Sequence, residues 1–115
     1  MPIKKYNDLL ATEIQMEGAA KVFKKMPIGV KEGWEGYNLR TFTLGSGGYP
    51  PRHTHDWEHV NYVIRGRGKL MIDGNEQDIH EKDFAFVPPN IEHQFSNPYD
   101  EEFEFICIVP NRGEY

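Results

Sequence analysis

Apolar and polar positions along this chain alternate in short runs of four to nine residues, each closed by a turn signal. From Ala20 to Ile28 the apolar positions Val22, Phe23, Met26 and Ile28 suggest a first strand, closed by Pro27 and Gly29. Tyr37 to Leu44 alternates clearly, with Leu39, Thr41 and Thr43 on one face. The stretch Gly45-Ser46-Gly47-Gly48-Tyr49-Pro50-Pro51 reads as a strong break. Val60 to Ile64 is β-branched and aromatic, hence strand-like. Lys69 to Ile72 follows after Gly66-Arg67-Gly68. Asp73-Gly74-Asn75 then predicts a hairpin of the primed kind, returning through Glu76 to His80. Asp83 to Val87 is stopped by Pro88-Pro89-Asn90, His93 to Asn97 comes next, and Phe103 to Val109 ends at Pro110. Short strands at this spacing, with turn chemistry between them, predict an all-β sandwich or barrel. Residues 1–18 carry only weak patterning.

Composition narrows the class. At 115 residues the chain is one domain, long enough to bury a core without staples. Apolar residues make up 38% and aromatics 13%, so large rings carry much of the interior volume. The formal net charge is -5 and no Lys/Arg cluster is present, which argues against nucleic acid and anionic membranes as partners. A single cysteine excludes an intrachain disulfide and a multi-cysteine zinc ribbon. No signal sequence and no membrane-length apolar run is visible, so a cytoplasmic location is expected.

The chemistry concentrates in the histidines. Four of the five fall in two places: His53, His55 and His59 in one run, and His93 after Pro88-Pro89-Asn90. Neutral imidazole is the commonest protein ligand for transition metals. The three in the first run share odd parity. An extended His53-Thr54-His55 would put two rings on one side, about 7 Å apart at the Cα atoms. Three or four imidazoles facing one point make an open metal site rather than a closed structural one. Metal affinity is expected to fall below roughly pH 6, because imidazole must be neutral to bind. Two other readings compete. The cluster could be surface histidines near a turn. His55-Asp56-Trp57-Glu58-His59 also matches the zinc-protease pattern H-x-x-E-H, which requires a helix. Pro50-Pro51 upstream and the strand-forming run downstream leave that helix no room.

The two histidine segments together resemble the motifs of the cupin superfamily. The first, residues 47–66, has Gly47, five residues, His53 and His55, and closes at Gly66. The second, residues 82–97, has Lys82 where the family has glycine, then Pro88, Asn90, His93 and Asn97 at the family's spacing. Asn90 replaces a glycine, a mild change because Asn tolerates the left-handed conformation. The family's glutamate ligand is missing, its two permitted positions holding His59 and Val60. The resemblance therefore implies a double-stranded β-helix, or jelly-roll barrel, spanning 1–115. It implies a four-histidine centre of His53, His55, His59 and His93, as in a subset of small manganese-binding cupins. It also implies a homodimer, with segment 1–18 pairing with the partner subunit.

Without a carboxylate ligand the ion keeps its full charge toward a substrate or dioxygen. Manganese or iron is preferred from the resemblance, while zinc, nickel and copper are also tolerated by imidazole. Cys107 lies on the face of Phe103, Phe105 and Val109, where it serves as a small hydrophobe or stands near the metal. Phe95 shares parity with His93 and is the aromatic candidate for the pocket wall. Arg40 and Arg52 could orient an anionic substrate, although a solvated strand charge is the commoner outcome. His80 has no motif support and is expected at the surface. Trp34 would pack at a subunit interface or cap the barrel mouth. The function implied is a metal-dependent small-molecule enzyme, foremost a dioxygenase. Alternatives are a non-redox isomerase or lyase, and a non-catalytic binding module.

Overall fold

The computed structural model describes residues 3–113. Nine strands run in the order β1 (Thr12–Glu13), β2 (Ala20–Ile28), β3 (Tyr37–Tyr49), β4 (His59–Arg65), β5 (Arg67–Ile72), β6 (Asn75–His80), β7 (Phe84–Val87), β8 (His93–Ser96) and β9 (Phe103–Pro110). They form a six-stranded sheet, β1-β2-β3-β9-β4-β7, and a three-stranded sheet, β6-β5-β8, with every pairing antiparallel. No α-helix occurs among the described residues, only three single 3₁₀ turns. The expected all-β jelly roll is therefore the architecture found.

The core lies between the sheets. Leu70, Ile79 and Phe95 come from the small sheet and meet Val22, Phe42, Leu44, Val63, Val87, Phe103, Phe105 and Val109 from the large one. Aromatic rings dominate its centre. Phe95 stacks on Phe105 at 4.1 Å between centroids, and Phe103 lies 5.2 Å from Phe105. A chain modest in aliphatic content fills its interior this way because each ring buries a large area.

Turn chemistry fell where the sequence placed it. Asp73 and Gly74 both have positive φ, 51° and 81°, the signature of a primed hairpin. Asn90 has φ 65°, as its substitution for glycine required, and Lys82 has φ 75° at the other glycine position of the second motif.

The break expected from Gly45 to Pro51 is instead mostly strand, because β3 continues to Tyr49. The glycines bend it rather than end it. The β2–β3 register jumps from Val22↔Leu44 to Ala20↔Tyr49, so the extra residues bulge outward. Gly48 sits where a Cβ would lie 2.8 Å from the Gly45 carbonyl oxygen and 2.9 Å from that of Lys21. Asn97 ties this bulge to the second motif. Its side-chain amide donates to the Leu44 and Glu101 carbonyls at 2.9 and 2.7 Å, and its own backbone bonds Gly47 and Gly48.

The N-terminal segment packs on its own chain. β1 pairs with β2 through Thr12↔Lys24 and Glu13↔Phe23. The Tyr6 hydroxyl donates to the buried carboxylate of Glu104 on the outer side of β9. Burial first, then that bond and the Glu104 charge, push the Tyr6 phenol up to about 12. Residues 1–2 of the 1–18 segment lie outside the described residues. The outer side of β4 and β7 is apolar, with Val60 opposite Phe86 and Tyr62 opposite Phe84, and Val60, Phe84 and Phe86 all exposed.

Candidate metal centre

The two histidine segments meet through backbone bonds. His53 and His93 form an antiparallel bridge, each N–H donating to the other's carbonyl at 3.0 and 2.9 Å. The Asn90 N–H donates to the His55 carbonyl at 2.7 Å, using the left-handed turn at Asn90. His59 opens β4 and His93 opens β8, so the large and the small sheet each present one ring at the same end of the barrel. His55 hangs between them on the irregular link from β3 to β4. That link contains bends and no helix, which removes the zinc-protease reading of His55 to His59.

One nitrogen from each of His55, His59 and His93 lies within 4.8 Å of the other two, the geometry of a three-imidazole metal site. This is three histidines, not the four expected. His53 lines the same pocket, its ring centroid 5.8 Å from that of His55 and 6.4 Å from that of His93. It falls outside the converging group although, like His55, it lies on the link between β3 and β4. Its backbone is bridged side by side with His93, and neighbouring chains in such a bridge stand about 5.5 Å apart.

Each converging ring is oriented from behind. His55 Nδ1 faces the Trp57 carbonyl at 3.1 Å, and His93 Nδ1 faces that of Ile91 at 3.0 Å. His59 Nδ1 faces the Asn61 Oδ1 at 2.8 Å, while the Asn61 amide nitrogen donates to the Ile106 carbonyl at 3.3 Å and so fixes which way the amide points. All three partners are oxygen acceptors, so Nδ1 carries the proton in each ring and Nε2 is a bare acceptor. The His59 and His93 Nε2 atoms then face each other at 3.1 Å with lone pairs opposed. Such an arrangement needs a positive species between or beside them. A proton is disfavoured there. Burial, as the leading cause, lowers all four rings: His55 and His59 to about 4, and His53 and His93 below the ordinary value of 6.5. The Arg40 charge adds to the depression at His53 and His59. The rings thus stay neutral and ligand-ready, and the decline of metal affinity expected near pH 6 moves to more acidic pH.

The pocket beside these rings holds about 40 Å³ and is walled by Pro50, Pro51, Phe42, Phe95 and Phe105, with Gln94, Arg40 and Cys107 as its other polar groups. Phe95 is where parity placed it. Cys107 is buried and lines the pocket. Arg40 departs from the commoner outcome of a solvated strand charge. It is only 2% exposed, and its guanidinium donates to the Cys107 Sγ at 3.2 Å. The reason is parity, since Arg40 shares the inward face of β3 with Phe42 and Leu44, opposite the face of Leu39, Thr41 and Thr43. Arg52 and His80 are exposed at the surface. Trp34 is half-buried beside Tyr37 and is not part of the pocket wall.

Sequence reasoning missed Asn61 as the orienter of His59. Its signal was present, because Asn61 has the parity of His59 two residues along the same strand. It also assigned Trp57 no part in the site. Trp57 is half-buried and stacks flat on His55, at 4.3 Å and 6°, with Gly113 packed against its indole. No parity rule reaches that contact, since both residues lie outside strands.

The fold and site together define a jelly-roll barrel with a histidine-lined candidate metal pocket at one mouth. A cupin domain model matches residues 40–109, which hold both histidine segments, and the chain belongs to the cupin family. The chain is similar to 1-methylthio-D-xylulose 5-phosphate methylsulfurylase of Rhodospirillum rubrum, at 32% identity over 71 residues. That match takes in 62% of this chain and 46% of the relative, so the chain spans about half the length of that protein. Among solved structures it is similar to the polyketide cyclase RemF of Streptomyces resistomycificus, with TM-score 0.90 and 24% identity, over 96% of this chain and 79% of that one. It is also similar to a predicted oxalate decarboxylase of Thermotoga maritima, with TM-score 0.86 and 17% identity, over 95% and 98%. At these identities the two structures speak for the fold alone. No helix among the described residues is long and apolar enough to cross a membrane.

Proposed function

We propose that this protein is a metal-dependent enzyme acting on a small molecule, foremost a dioxygenase, with the ion held by His55, His59 and His93. One observation carries the reading: two buried Nε2 atoms face each other at 3.1 Å, while the Nδ1 of each ring faces an oxygen acceptor on its far side. A divalent transition ion bound there supplies Lewis acidity and open coordination positions. Manganese or iron is the proposed ion, and imidazole also accepts zinc, nickel or copper. His53, in the same pocket, would add a fourth ligand after turning its ring inward. Phe95, Phe105 and the two prolines keep water from the reacting face. Among the described residues no carboxylate lines the pocket, so no Asp or Glu stands ready as general base. That favours metal-centred oxidation over hydrolysis.

A second reading is non-redox catalysis of the isomerase or lyase kind. The name of the sequence relative, a methylsulfurylase, favours a reading without oxygen chemistry. Two measurements separate the readings. Titration of manganese, iron(II) or zinc into metal-free protein should quench Trp57 emission, since its indole stacks on a ligand ring. Oxygen uptake with the loaded protein across a panel of small substrates should then reveal turnover. Absence of metal uptake at neutral pH refutes the site. Turnover without oxygen consumption, equally supported by zinc, assigns the non-redox reading.

A further inference from the structure

The three converging rings are not held alike. His59 and His93 stand at the first positions of β4 and β8, where pairing with β7 and β5 fixes the backbone beneath them. His55 lies on the irregular link, with its carbonyl bonded to the Asn90 N–H. Trp57 supplies two constraints on the His55 ring. Its carbonyl faces Nδ1 at 3.1 Å, and its indole lies flat on the imidazole, 4.3 Å between centroids and 6° between planes. The bond selects the tautomer and the stack fixes the ring plane, which leaves Nε2 as the ligand atom.

Trp57 is held in turn by the 3₁₀ turn Asn111–Gly113 that follows β9. Gly113 is buried against the indole, where a Cβ would overlap Nε1 and lie 2.7 Å from Cδ1. Arg112 donates to the Asp56 carbonyl at 3.1 Å. The turn is anchored to the barrel through Asn111. Its N–H donates to the Gly36 carbonyl at 2.9 Å, and its Oδ1 accepts from the buried Asn38 amide at 2.8 Å. A run of contacts thus leads from β3 through the turn and Trp57 to His55. An imidazole that binds a cation through Nε2 becomes electron-poor, and an indole face attracts positive charge. A stack that strengthens with the ion bound raises the affinity for it, and by linkage the ion tightens the turn.

We propose that Trp57 is the positioning residue of the metal centre and that the Asn111–Gly113 turn is the clamp that keeps its indole on His55, so that metal binding and docking of the turn are coupled. This rests on the metal reading above.

The test uses the whole chain with cobalt(II), its affinity read by chelator competition and its coordination by visible absorption. Trp57→Leu keeps the carbonyl and removes the flat ring. It should bind cobalt(II) more weakly by about tenfold or more, with an altered absorption band. Trp57→Phe restores a flat ring and should recover most of the affinity and the wild-type band, a rescue that mere filling of volume does not predict. Gly113→Ala should weaken binding several-fold, since either the indole or the turn must move. In the wild type, zinc(II) should slow hydrogen exchange at the Asn111 amide several-fold. Wild-type affinity in Trp57→Leu, or an equal loss in Trp57→Leu and Trp57→Phe, overturns the proposal while leaving the metal site standing. Absence of metal uptake by the wild type instead removes the metal reading, and the proposal with it. Should Trp57→Leu fail to fold, Gly113→Ala and the exchange measurement decide, and wild-type affinity in the first or an unchanged rate in the second overturns the proposal.

Discussion

Acid should unfold the metal-free protein through His59, and the size of the effect follows from its surroundings. The ring is 5% exposed, and burial is the main reason its value falls from 6.5 to about 4. Between those two pH values the unfolded chain binds a proton at this position that the folded chain refuses. Stability therefore rises with pH across that window and is lost as pH falls through it. The loss reaches about 2–3 kcal/mol by pH 4.5, at roughly 1.4 kcal/mol per pH step. His55 is also lowered to about 4, but it is more open to water, and its titration is coupled to that of His59. Its contribution is therefore not added. The assay is urea unfolding of chelator-treated protein from pH 7 to 4.5, followed by tryptophan emission, for wild type and His59→Gln. Carboxylates elsewhere titrate alike in both proteins, so the difference between the two stability curves isolates the imidazole. Wild type should lose about 2–3 kcal/mol more than the variant over this range. A flat difference curve would refute the argument that His59 is held neutral by burial.

Three further outcomes follow from single contacts. Asn61→Ala should lower metal affinity about 10–100-fold while leaving the fold intact, because His59 loses the acceptor that fixes its ring; competition with a chelator of known affinity reads this directly. Lys82→Gly should stabilise the protein by about 0.5–1 kcal/mol in urea unfolding, since Lys82 occupies φ 75° at no evident gain; a loss of stability would contradict this. Gly66→Ala should cost about 2–3 kcal/mol or more, because Gly66 has φ 74° and a Cβ there would overlap the Glu102 carbonyl oxygen, with no flexible side chain to yield; a melting temperature within a degree of wild type would refute it.

Much of this protein is determined by local pattern. Alternating runs gave the strands from Tyr37 onward, the Asp73-Gly74 pair gave its hairpin, and Asn90 gave a left-handed turn. These are legible because side-chain alternation and positive φ are properties of a few adjacent residues. The same alternation put His59 on the inner face of β4 and Phe95 and Cys107 on inner faces of β8 and β9. What alternation could not reach is anything set between strands or within loops. His53 and His55 share parity, yet only His55 joins the converging group, because neither lies in a continuous strand and backbone bonds to His93 and Asn90 decide where each ring goes. The glycine run at 45–48 looked like an end and proved a bulge, because its partner β2 and the Asn97 clamp hold it in the sheet. Arg40 looked like a surface charge until the barrel closed around it and set the Cys107 sulfur against its guanidinium. Periodicity records which side of a strand a residue faces, and only the packing of the two sheets decides which groups then share a cavity.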